Sequence, residues 1–227
     1  MACHGQAPGF FGKLPSHGDF VGRRLPPEVR QCLDEWLQIA LVQSRVDLGG
    51  GWLPTWLNSP IWRFVLGAGV CNRQAWAGIM MPSQDRVGRC FPLLLATGID
   101  GTPLLRDCLT LDAGWFERLE ELALSALDEG FSLEAFDVAL LGLGVGAPVA
   151  AAAGTAPPDL SVPYTAVRTD LASSVLAAAS FDGCSAWWTL GSPRVPACLA
   201  FHRGLPAPGL YGALLDGQWS ERGWHAE

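Results

Sequence analysis

Lysine is nearly absent from this chain: one occurs in 227 residues, Lys13. Arginine carries the rest of the positive charge, and acids outnumber both, giving a net charge of −7. That balance excludes a general nucleic-acid binder, which needs clustered cations to displace counterions from phosphate. Histidine is also scarce, at four, and His4 and His225 lie near the ends, so few residues are available for general-base or metal chemistry. The seven cysteines are odd in number and scattered, with no C-x-x-C pair. This predicts reduced, mostly buried thiols and a cytoplasmic setting. No basic n-region followed by an apolar h-region occurs near Met1, so no secretory leader is expected. The one long uncharged run, Val138 to Pro157, is mostly Ala and Gly and contains Pro148. Such a run is too weakly apolar for a membrane span, and no span is predicted.

Apolar residues make up 49% of the chain and charged residues 16%, the balance of a globular protein with a sizeable core. Ten tryptophans are many; they suit a core, and a surplus also suits a partner surface. Charge is uneven. Residues 1–90 carry nine Lys/Arg against six Asp/Glu, and the remainder six against sixteen. A basic N-terminal part therefore precedes an acidic C-terminal part.

Pro26-Pro27-Glu28 is a helix start, with proline in the first turn and an acid at the positive end of the dipole. Val29, Leu33, Trp36, Leu37, Ala40 and Leu41 follow at helical spacing, predicting a helix over 27–46, ended by Gly49-Gly50-Gly51. Apolar runs at 76–81 and 91–99 read as strands, as do 184–190 and 195–202 around a Gly191-Ser192-Pro193 turn; 61–66 reads as a strand interrupted by Arg63 or, after the Asn58-Ser59-Pro60 cap signal, as a short helix. Asp112 and Ser132 are placed to cap two more helices; others are predicted around 169–179 and 208–216. Residues 142–161, rich in Ala, Gly and Pro, read as a loop or insertion within a single domain spanning 1–227. Strands mixed with helices, several of them continuously apolar, predict a sheet covered on both faces in an α/β or α+β sandwich.

Two segments concentrate the polar chemistry. One is G-F-F-G-K-L-P-S-H-G-D-F, Gly9 to Phe20; the other is P-S-Q-D-R-V-G-R-C-F-P, Pro82 to Pro92. Gly12-Lys13 imitates the end of a phosphate-binding loop, but Leu14 stands where the Ser or Thr for magnesium belongs, and Pro15 follows. Gly142-x-Gly144-x-x-Ala147 matches dinucleotide-loop letters without the crossover helix. No cofactor is expected. A hydrolase would use Ser83 or Ser16 with His17 and Asp19 or Asp85, yet no Gly-x-Ser-x-Gly elbow is present, and adjacent Ser16 and His17 side chains are expected to diverge. His17, Asp19 and Asp85 lack metal-ligand spacing. A third reading is a pocket for an anion or peptide charged by Lys13, Arg86 and Arg89. The structural reading makes Asp85 with Arg86 and Arg89, and Asp19 with Arg23 and Arg24, into ion pairs that pin the loops. Arg63, inside an apolar run, needs a carboxylate if buried; Asp85 and Asp19 are the candidates.

Three blocks in order, Gly9–Val21, Ser59–Phe64 (S-P-I-W-R-F) and Trp76–Leu93 (W-A-G-I-M-M-P-S-Q-D-R-V-G-R-C-F-P-L), resemble the N-terminal domain of the TagF family of type VI secretion-associated proteins. The resemblance runs through Thr97, then weakly through Ser185-Ala186-Trp187-Trp188 and Gly204-Leu205-Pro206. It implies a three-layer α/β/α sandwich with a mixed sheet. It also implies a cytoplasmic, non-enzymatic repressor of secretion that binds the forkhead-associated scaffold protein of the apparatus. The family brings no catalytic residues. Lys13, His17, Asp19, Arg63, Ser83, Asp85, Arg86 and Arg89 are the residues expected either to bind the partner or to build the motifs. Cys90 stands where an aromatic is common and is expected in the core.

Overall fold

The computed structural model describes residues 7–99, 113–143, 165–168 (backbone only) and 181–226. Its elements in order are β1 (Gly9–Gly12), β2 (Val21–Arg23), α1 (Pro27–Leu48), α2 (Trp52–Leu57), β3 (Trp62–Leu66), β4 (Ala75–Met81), β5 (Leu93–Ile99), α3 (Ala113–Ser125), α4 (Leu133–Gly142), β6 (Thr165–Arg168), β7 (Cys184–Thr189), β8 (Cys198–Arg203), α5 (Tyr211–Asp216) and β9 (His225–Ala226). The strands form one sheet in the order β2-β1-β5-β4-β3-β7-β8-β6-β9. All pairs are antiparallel except β6 with β8. The fold is mixed α/β.

Burial follows the two periodicities. β3, β4 and β5 are buried along their whole length, which suits the apolar runs of β4 and β5 and encloses Arg63 of β3. Along β4, Trp76 and Met80 enter one core cluster, with Leu33 and Trp36 of α1, Trp56 of α2 and Leu214 of α5. Ala77, Ile79 and Met81 enter another, with Trp115 and Leu119 of α3 and Phe136 of α4. Side chains alternate across a strand, so the sheet serves both clusters.

α1 begins at Pro27 as predicted and runs to Leu48; the amide of Gly49, at φ 52°, closes the end on the Arg45 carbonyl. Ser132 caps α4 by accepting from the Ala135 amide. Asp112, the 144–161 stretch and the 169–179 helix lie outside the described residues. No helix among the described residues is long and apolar enough to cross a membrane.

Two expectations change. Nine of the ten tryptophans are buried and Trp188 is partly buried, so none of them forms an exposed anchor. Most of their indole N–H groups find acceptors inside, such as Trp36 on the Pro206 carbonyl (2.7 Å) and Trp62 on the Leu214 carbonyl (3.0 Å). Cys32 of α1 and Cys71 of the β3–β4 loop form a disulfide, with Cα atoms 5.6 Å apart, where reduced thiols were expected. Cys90, Cys184 and Cys198 are buried free thiols, and burial pushes Cys198 up to about 12.

Candidate functional site: the paired motif loops

The first motif opens as a strand, not a loop. Phe10 pairs with Leu95 of β5 and Arg23 of β2. Phe10 packs into the cluster with α3 and α4, Phe11 into the one with α1. Gly12 lets the chain leave this strand: its φ is 146°, and a Cβ there would lie 2.1 Å from the Pro92 carbonyl oxygen. The two motifs therefore touch backbone to backbone at their bases.

Beyond Gly12 the lone lysine turns inward. Lys13, 6% exposed, donates from Nζ to Asp85 Oδ2 at 2.8 Å, across 72 residues of sequence. Ser83 Oγ donates to the Lys13 carbonyl at 2.8 Å, and the Ser83 carbonyl accepts from Trp56 Nε1 and the Phe91 amide. Asp85, 2% exposed, also accepts from Arg89 Nε (2.6 Å) and from the Val87 and Arg89 amides (3.1 and 2.9 Å). Burial alone would raise its pKa. The Lys13 ammonium and the Arg89 and Val87 donors outweigh that and hold the carboxyl well below the usual carboxylate range.

The second motif is a tight reverse turn. The Asp85 amide bonds the Arg89 carbonyl, the Gly88 amide bonds the Asp85 carbonyl, and Gly88 sits at φ 82°, where glycine is favoured. Gln84 and Cys90 form a bridge beneath it. The Arg86 amide donates to the His17 carbonyl (2.9 Å), and Arg89 Nη2 donates to the Gly18 carbonyl (2.5 Å), so the two loops are tied together. Phe20 stacks on Phe11 and meets Phe91 edge-on, with Lys13 Nζ 5.1 Å from its ring centre.

The structure thus joins buried Lys13, Ser83 and Asp85 with the more exposed Arg89 in one network and sets His17, Asp19 and Arg86 at its outer edge. Ser16 Oγ and His17 Nδ1 lie 2.8 Å apart, against the expected divergence. Asp19 Oδ1 accepts the following amide, that of Phe20, rather than pairing with Arg23 and Arg24. Those two arginines instead reach Asp137 of α4, whose carboxyl they hold below the usual range against the raising effect of its burial. Arg86 has no carboxylate partner among the described residues, contrary to its expected pairing with Asp85. Arg63 lies outside the site: its guanidinium forks Glu120 of α3 at 2.6 and 2.9 Å. Neither Glu120 nor Asp137 is signalled by the sequence, because both belong to helices whose docking on the sheet is a tertiary fact. Trp56, the prop under Ser83, is likewise visible only in three dimensions.

Chemically the network is occupied. An Asp85 carboxylate receiving four donors has little basicity to offer, and the Ser83 hydroxyl proton is already given to a carbonyl. Asp85 neutralises one of its two cations, so a pocket for an anion would have Arg86 as its main uncommitted charge. Among the described residues no three His, Cys, Asp or Glu side chains gather as a metal site.

Residues 9–143 match the family described as TagF N-terminal domain, type VI secretion system-associated. This chain belongs to the TagF family. It is therefore a type VI secretion-associated protein, and the three sequence blocks lie within the matched region. Among solved structures it is similar to PA0076 from Pseudomonas aeruginosa PAO1, with 36% identity and a TM-score of 0.74, over 93% of this chain and 94% of that one. No curated protein matches it. In this TagF domain the motif blocks are the paired loops and the strands that carry them.

Proposed function

We propose that the protein is a cytoplasmic repressor of type VI secretion that acts after translation by binding the forkhead-associated scaffold protein of the apparatus, and that it is not an enzyme. The observation that carries this reading is the way the motif charges are used. Lys13, Asp85 and Arg89 are consumed in holding two loops together, while the loop tips face solvent. A buried ion pair seldom adds net stability over apolar packing, so its value lies in fixing a shape. A fixed outward shape suits recognition. The fold we infer is three layers, α/β/α, supported by the two clusters that β4 feeds.

The test is secretion in a strain lacking this gene, complemented by wild type or His17→Ala, with pull-down of the scaffold protein. Both forms are expected to repress and to retain the scaffold. Wild type that fails to retain it contradicts the binding reading. Loss of repression by His17→Ala with scaffold binding intact would favour the hydrolase that uses His17, Asp19 and Ser83.

A further inference from the structure

Loop one exposes Ser16, Asp19 and Phe20; loop two exposes Arg86, Val87, Gly88 and Arg89. Val87 lies at the tip of its turn, 68% exposed, directly after Arg86 and two residues before Arg89, and Phe20 is 42% exposed. Two large apolar side chains in water are unremarkable singly. Here both sit on a backbone held by buried ionic and amide hydrogen bonds, beside exposed arginines. Arg86 pairs with no carboxylate among the described residues, although the chain has a net charge of −7 and acids to spare. Arg30 of α1 is exposed, also lacks a carboxylate partner among the described residues, and lies over the Phe11 ring that Phe20 stacks on. Arg89 keeps 59% of its side chain exposed even while it bonds Asp85 and Gly18. In loops one and two Asp19 is the only exposed acid, and part of its carboxylate is turned to its own backbone.

We infer that the Arg86–Arg89 turn tip, with Phe20 beside it, is the surface by which this domain docks on an acidic face of its partner protein, Val87 entering an apolar recess between carboxylates. The inference rests on the proposed repressor function and adds the contact surface to it. Three features favour an acidic protein face as the occupant. The patch is cationic on an acidic molecule, which gives charge complementarity and steering toward an acidic surface. Its centre is apolar and its rim is cationic, the layout of a protein interface, and arginine is enriched among interface anchors. The turn is also pre-formed: Asp85 Oδ1 holds the Val87 and Arg89 amides, so little backbone entropy is lost on docking.

The test is calorimetric binding of the purified forkhead-associated scaffold to wild type, Arg86→Glu, Val87→Ser and, as a control, Ile39→Ser on the exposed face of α1, at low and high salt. Arg86→Glu is expected to weaken binding about tenfold or more, and Val87→Ser several-fold. Ile39→Ser is expected to leave it unchanged. Wild-type affinity should fall with salt, and that dependence should shrink in Arg86→Glu. Val87 reaches into solvent, so its variant keeps the test valid if Arg86→Glu fails to fold. Wild-type binding with unchanged affinity in Val87→Ser and in folded Arg86→Glu overturns the surface but leaves the repressor reading. Wild type that does not bind the scaffold overturns both.

Discussion

Replacing Glu120 by alanine leaves the Arg63 guanidinium, 4% exposed on β3 in the middle of the sheet, without its carboxylate. Two unit charges about 4 Å apart at an effective dielectric of about 20 attract by about 4 kcal/mol. Removing one partner of a buried pair costs about 3–5 kcal/mol, because the remaining charge stays desolvated. Glu120 keeps 18% of its side chain in water, which screens the pair, so the lower end applies and we expect a loss of about 3 kcal/mol. For a domain of this size that lowers Tm by about 6–12 °C. Urea unfolding followed by tryptophan fluorescence measures it well, since nine of the ten indoles are buried. The neighbouring Glu121, exposed and unpaired among the described residues, is the reference, and its alanine variant should change stability by no more than about 0.5 kcal/mol. The double variant Arg63→Met, Glu120→Leu removes both charges and should be more stable than Glu120→Ala alone, exposing the coupling. Equal stability of Glu120→Ala and Glu121→Ala would show that the Arg63–Glu120 pair carries no such energy.

Asp85 should shape the acid limb of stability. Its folded pKa is depressed, so its contribution is complete above the unfolded value of about 3.9 and is lost as pH falls from there through the folded pKa. The stability gap between wild type and Asp85→Asn should therefore be widest at neutral pH and narrow below pH about 4; a gap constant from neutral pH to strong acid contradicts this. Asp137 is depressed in the same direction, so the asparagine variant should flatten the acid limb only in part. The Cys32–Cys71 bond closes a separation of 39 residues, which the chain-entropy treatment values at about 4 kcal/mol. Oxidised wild type should lose Tm on adding reductant, and Cys32→Ser should start low and not respond; a reductant-insensitive wild type would count against the bond.

Much of the fold is legible in the sequence because its signals are local. α1 announces itself by Pro27, Glu28 and a stripe from Val29 to Leu41, α4 by Ser132, and β4 and β5 by apolar runs between Gly and Pro. β1 is not legible: Gly9 and Gly12 read as loop formers, and only the close approach of Pro92 shows why Gly12 belongs at a strand end. α2 is short and contains Pro54, so periodicity cannot declare it. The motif residues are visible as a set, but their partners are not. Lys13 finds Asp85, Arg63 finds Glu120, and Arg23 and Arg24 find Asp137, over separations that only the sheet order determines. Tryptophan count likewise cannot separate a core from a contact surface; here the indoles went inside and arginine was left at the loop tips.

Hydrogen-exchange footprinting of this protein with and without the purified forkhead-associated scaffold locates the contact surface on the molecule. Docking through the paired loops gives new amide protection in residues 15–20 and 85–89, with little change on α3 and α4. Protection confined to the C-terminal half, with both loops exchanging as in the free protein, would contradict it.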